Sequence, residues 1–165
     1  MLERIYIIGE PILRKQTPEI EKITQAEREL FDEMLKVMRR ANGIGLAANQ
    51  VGIDKQMCVI CIEDKVLKLA NPRVIKKKGQ ETIEEGCLSL PGITVKVKRA
   101  REITCQALDE NNQQIEFEAD DLLSRAIQHE VDHLMGKLII DYASVWQKVA
   151  LKEKIKVLKN KQNKT

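Results

Sequence analysis

The sequence predicts an α+β fold: antiparallel β-sheets packed around a central helix, with an N-terminal helix before them and a C-terminal helix after. Three observations predict it. Two long segments carry apolar residues at helical spacing, the stretch between residues 55 and 119 reads as short β-branched runs separated by turns, and the order is helix, strands, helices. A length of 165 residues, 43% of them apolar, suits one continuous core, so residues 1–165 are expected to form a single domain.

The first helix opens at Thr24, where Glu27 three residues on completes a capping box. Leu30, Phe31, Met34, Leu35 and Met38 mark its buried stripe, and Asn42-Gly43 stops it. The segment GIGLAANQ follows, then KQMCVICIE as a strand and LKLANPRVI as an extended piece broken by Pro72. In ITVKV, Ile93, Val95 and Val97 alternate with Thr94 and Lys96, which gives one buried face. REITCQAL and QIEFEA flank the turn residues DENNQ as a hairpin. Asp120 or Asp121 is expected to cap the second helix, DLLSRAIQHEVDHLM, which Gly136 closes. Apolar residues on several sides of that helix predict burial. Ser144 is expected to cap a last helix over about residues 144–160, with a frayed tail over about 161–165.

No apolar run reaches the roughly 20 residues of a membrane span, and the N-terminus lacks the pattern of a signal or transit peptide. A cytoplasmic location is expected, with no membrane and no partner protein evident. The four cysteines are then free thiols or metal ligands rather than disulfides. A net charge of +3 makes no domain-wide case for nucleic acid.

Both histidines of the chain fall in QHEVDH, at positions 129 and 133. Four residues along a helix is about 40° of rotation, so both rings project from one face, and Glu130 reaches the same volume from about 60° around the axis. This is H-E-x-x-H, two imidazole ligands and a general base. A chance match in a polar helix is the plain alternative, but imidazole and carboxylate in a buried helix are costly without a partner. A catalytic site also needs a third ligand. Downstream, Ile139 stands where some proteases place a third histidine, and Asp141 and Glu153 are poor candidates. Upstream, Cys87 in EEGCLSLPG is the best one. Cys58 and Cys61 form C-x-x-C inside an apparent strand, which turns them to opposite sides, and these two are assigned with Cys105 to packing. GIGLAA has the form of a dinucleotide fingerprint but follows a helix instead of opening one. What remains is an extended segment ending in Gln50, whose amide is able to donate to an oxyanion.

Together, GIGLAANQ (43–50), EGCLS (85–89) and QHEVDH (128–133) resemble the three signature motifs of the peptide deformylase family, in its order and approximate spacing. The resemblance covers nearly the whole chain. It implies a metallohydrolase that removes the formyl group from the N-terminal formyl-methionine of nascent polypeptides. Cys87, His129 and His133 would bind one divalent ion, Fe(II) natively with Zn, Ni or Co as substitutes. Glu130 would be the base, and Gln50 with the Leu88 backbone N–H the oxyanion donors. Ile44, Leu122 and Ala126 would line a methionine pocket; Gly43, Gly45, Glu85 and Gly86 complete the expected substrate contacts, with the backbone near Gly45 pairing to the peptide. Two places depart from the family pattern: Thr94 and Lys98 stand where many members have Arg and Pro, and Arg125 where many have an apolar residue near that pocket.

The rivals are an H-E-x-x-H metallopeptidase, which needs a different third ligand, and a non-catalytic, metal-stabilised ribosome-binding module, which has no use for Glu130. Toward the C-terminus Lys148, Lys152, Lys154, Lys156, Lys159, Lys161 and Lys164 face one acid, Glu153. A solvated helix face is the default for such a run. Val145, Val149, Leu151, Ile155 and Leu158 are expected to dock the helix, and the resemblance adds a weak ribosome contact through its lysines.

Overall fold

Thr24 caps α1 (Gln25–Arg40) in a computed structural model that describes residue 2 and residues 4–162. Its side chain accepts from Ala26, and the Glu27 carboxylate accepts from the Thr24 backbone N–H at 2.9 Å. The apolar stripe is buried as expected. Phe31, Met34 and Met38 are fully covered, each such side chain contributing about 1.5–3 kcal/mol.

Five strands form the main sheet in the order β1 (Gly45–Ala47), β2 (Met57–Ile62), β3 (Lys65–Lys78), β6 (Glu102–Leu108) and β7 (Gln114–Asp120), all antiparallel. The remaining strands, β4 (Glu81–Gly86) and β5 (Thr94–Arg99), pair only with each other. In β5, Val95 and Val97 are buried while Thr94, Lys96 and Lys98 face out, as the alternation predicts. β2 is buried on both faces. Met57 and Val59 pack with the α1 cluster, whereas Cys58 and Ile60 pack with the residues of α2 (Asp121–Leu134). Cys58 and Cys61 accordingly face opposite ways.

Four local expectations need correction. Pro72 does not break β3: it falls where the register shifts between Ala70 and Arg73, a place where its missing N–H costs no ladder bond. Neither aspartate caps α2 through its side chain; Asp120 holds the N-cap position, and Asp121 accepts from Arg101 at 3.0 Å instead. The last helix, α3 (Val145–Gln162), extends beyond residue 160, so residues 161 and 162 continue it and the rest of the expected frayed tail lies outside the described residues. Finally, Leu151, Ile155 and Leu158 pack on the domain, but Val145 and Val149 are 74% and 63% exposed. Two residues along a helix is about 200°, which puts Val149 opposite Leu151. Ser144 does cap α3, accepting from the Gln147 N–H at 3.2 Å while Gln147 accepts from the Ser144 N–H.

Gly136 ends α2 at φ 73°, and an added Cβ there would lie 2.5 Å from the Arg14 carbonyl oxygen. Between its ends α2 is covered by β1 and β2 on one side and by β7 at its start, so most of it is buried. Among the described residues no helix is long and apolar enough to cross a membrane.

Candidate active site

Helix geometry sets the centre. His129 and His133 lie one turn apart on α2, with ring centroids 4.9 Å apart and Nε2 atoms 3.2 Å apart. Cys87, just past β4, brings its Sγ to 3.2 Å from the His133 Nε2. The three donor atoms lie within 4.8 Å of one another, the one group of this kind among the described residues. A thiol and two imidazoles in this grouping form a donor set suited to a divalent transition metal.

The surroundings fit such an ion. Glu85 faces the outer nitrogen of His129 at 3.1 Å, which leaves Nε2 turned toward Cys87 and His133. Burial works against a charge on His129, but Cys87 and Glu85 outweigh it and push the ring up to about 10. That spot favours positive charge. His133 moves the opposite way, lowered first by burial and then by His129. Burial likewise pushes Glu130 up to about 7, against the opposing pull of His129 and Arg99. Glu130 is 3% exposed, and its Oε2 has no hydrogen-bond partner in the protein, so a buried carboxylate oxygen is left available beside the cluster.

Every site residue expected from the sequence except His133 lines one cavity of about 700 Å³. His133 is 1% exposed beneath it. Gln50 is buried, with Oε1 accepting from the Ala47 N–H at 2.9 Å. Its Nε2 donates to Ser89 at 3.0 Å and lies 3.9 Å from the Cys87 Sγ. Gly45 leaves room for Glu130: a Cβ there would come within 2.2 Å of its carboxylate oxygen and 2.9 Å of the carboxylate carbon, whereas a Cβ on Gly43 would come closest to the end of the Leu88 side chain, at 2.6 Å. Gly86 has no such neighbour. Leu122 and Ile44 are 50% and 43% exposed and lend the cavity apolar surface.

Glu85 carries partners that the sequence did not indicate. It lines the cavity, but its carboxylate is bound to Arg99 through Nε at 2.7 Å and Nη2 at 3.0 Å, to Arg125 at 2.7 Å, and to His129. Its carboxylate oxygens are thus engaged by three side chains of the protein. Burial opposes its charge, but His129 and Arg99 hold it down at about 2. Arg99 also reaches Asp132 at 2.8 Å, and Asp132 accepts from Tyr142 at 2.7 Å. Sequence reading missed Arg99, Asp132, Ser89 and Tyr142. For Arg99 a signal existed: it shares the inward parity of Val95 and Val97, and a buried arginine requires a carboxylate. Cys58 and Cys105 are pushed up by burial, Cys105 to about 11, in keeping with core thiols.

A model of the polypeptide deformylase family matches residues 2–149. The chain belongs to that family. A peptide deformylase of Dictyoglomus thermophilum is 43% identical over 143 residues, 87% of this chain and 94% of the relative. One from Clostridium botulinum is 45% identical over 140 residues, 85% and 95% of the two chains. Among solved structures, a peptide deformylase from Legionella pneumophila superimposes with a TM-score of 0.91 at 32% identity, covering 100% of this chain and 99% of its own. A Synechococcus elongatus peptide deformylase in complex with actinonin gives 0.86 at 38%, covering 91% and 86%. The deformylase match includes α1, both sheets and α2, but stops at residue 149, within α3.

Proposed function

We propose that this deformylase removes the formyl group from the N-terminal formyl-methionine of nascent polypeptides through Cys87, His129, His133 and Glu130, with residues 1–165 acting as one catalytic domain. The observation that carries the residue assignment is the convergence of a thiol, two imidazoles and an unpartnered carboxylate in one largely apolar cavity.

Cys87, His129 and His133 would hold the ion, and a divalent ion there supplies a Lewis acid that polarises a carbonyl and acidifies water. Glu130 takes the proton of the attacking water as it adds to the formyl carbon. Gln50 Nε2 and the Leu88 N–H donate to the oxygen that gains negative charge. Glu130 then returns the proton to the departing amine as the C–N bond breaks, which leaves formate and a free N-terminus. Its burial suits a group that accepts and releases one proton in each turnover. Ile44, Leu122 and Ala126 take the methionine side chain. Because Ile44 bonds to Cys61 on β2, the alternation of an antiparallel pair turns the Gly45 N–H and C=O toward the open edge, where an extended peptide can pair without being read by sequence.

The metallopeptidase reading leaves Cys87 without a role, and a binding module leaves Glu130 without one. Formate release from a formyl-methionyl tripeptide, with no cleavage of the acetyl-methionyl analogue or of internal bonds, is the expected result. Internal cleavage refutes it.

We further infer Fe(II) as the native metal, supported by the family resemblance and by a thiolate-imidazole donor set, with Zn, Ni or Co able to substitute. Iron as the major metal in protein purified without oxygen is the expected result. The remaining proposals are a cytoplasmic location and a weak ribosome contact through α3, whose Lys148, Lys152, Lys154 and Lys156 are exposed. Leu151, Ile155 and Leu158 are packed on the domain, so deleting the helix would uncover core. Lys152→Glu with Lys156→Glu is the cleaner test: binding to ribosomes should fall and lose part of its salt dependence. Equal binding at low salt refutes the contact.

A further inference from the structure

The cavity has two walls of different origin. One is α2 with the edge of the main sheet; the other includes β4, and the β4–β5 hairpin shares no strand pairing with that sheet. Side chains must hold the hairpin against α2. Arg99 makes one tie, from β5 to Asp132 at 2.8 Å. Glu85 on β4 makes a second, to His129 at 3.1 Å, and Ser124 and Gln128 on α2 bond the Ala100 backbone just past β5. Arg125 on α2 adds the tie with the most contacts to the hairpin. Its Nη1 donates to Glu85 at 2.7 Å and to the Val97 carbonyl at 3.0 Å, and its Nη2 donates to the Glu81 carbonyl at 3.0 Å. One planar guanidinium thus binds three points on two strands, a geometry an ammonium group cannot copy. Of the two arginines only Arg125 also lines the cavity, between Leu122 and Ala126 on α2.

We propose that Arg125 is a specificity-determining positioning residue: by tying β4–β5 to α2 it fixes the width of the pocket for the first side chain, and so excludes residues wider than methionine. This rests on the reading of Ile44, Leu122 and Ala126 as that pocket. An apolar residue at position 125 leaves the Glu81 and Val97 carbonyls without that donor and Glu85 with Arg99 alone among its arginines. The β4 side of the wall, where Arg125 holds Glu81 and Glu85, is then less tightly held, although Arg99–Asp132 and Glu85–His129 remain, and the shorter side chain vacates volume in the wall itself.

The test compares formyl-methionyl with formyl-phenylalanyl tripeptides as substrates of the metal-loaded full chain. Arg125→Leu should lower the methionine-to-phenylalanine ratio of kcat/KM about tenfold, with the change carried by KM. Arg125→Lys should restore part of it, since an ammonium still reaches Glu85 or one carbonyl. A ratio within about twofold of the parent in Arg125→Leu, with only Tm lowered, overturns the proposal and makes Arg125 a structural tie alone. If Arg125→Leu does not fold, the lysine variant decides: an intermediate ratio supports the role and a parental ratio refutes it. Ala126→Phe, which fills the pocket, separates the two readings. If it leaves KM for the formyl-methionyl peptide unchanged, the pocket itself is misassigned; if it raises KM while the arginine variants keep the parental ratio, only the role of Arg125 fails.

Discussion

Replacing Gly45 by alanine adds a single methyl group, yet the structure places that carbon 2.2 Å from one Glu130 carboxylate oxygen and 2.9 Å from the carboxylate carbon. Real Cβ atoms essentially never approach closer than 3.0 Å, so the carboxylate has to retreat by about 0.8 Å. Glu130 is buried, and β1 is held by its pairing to β2, so the side chain yields before the strand does. A displacement near 1 Å in a proton-transfer group costs about 100-fold in rate, equivalent to about 2.7 kcal/mol of transition-state stabilisation. The backbone at Gly45 is not in the left-handed region, so alanine adds no conformational strain and the fold should survive. Formate release under saturating substrate, with metal content by atomic absorption and Tm measured in parallel, isolates the effect. The expected outcome is kcat down about 100-fold with metal retained. Turnover within a few-fold of the parent would show that Glu130 is not the proton carrier or that its position is uncritical.

Three more outcomes follow from the same geometry. Cys87→Ala should lose metal and activity together, whereas Cys58→Ala or Cys105→Ala should cost about 1 kcal/mol of packing and keep both; metal retained without Cys87 refutes its assignment. Glu130→Gln should keep its metal while kcat drops by about 10²–10⁴-fold, and near-parental turnover sinks its role as base. Glu27 is held down to about 2 by Lys55 and Thr24, against an ordinary 4.5, so the stability its charge contributes is complete above pH 4.5 and is lost as pH falls from there through 2. In urea titrations, the margin of the parent over Glu27→Gln should therefore shrink across that interval, and a margin constant with pH argues against the link.

Much of this site was legible in the sequence because its parts are local. Two histidines and a glutamate at helical spacing share a face whatever the helix packs against, the Thr24–Glu27 box and the Gly136 stop operate within a few residues, and the alternation in β5 needs only a strand with one buried side. The inward parity of Arg99 carried information too, although its partners lay outside any sequence window. Other features depend on what arrives from elsewhere in the chain. The motif around Glu85 does not indicate its partners; three side chains remote in sequence, Arg99, Arg125 and His129, engage its carboxylate. Pro72 reads as a break because the sequence does not show that β3 exchanges partners at that point, from β2 to β6. Val145 and Val149 read as docking residues because period alone does not say which side of α3 meets the core. Periodicity and spacing determine which groups one element presents together; only the tertiary structure decides which faces meet, and with them which charges are neutralised and how wide the cavity between α2 and the hairpin becomes.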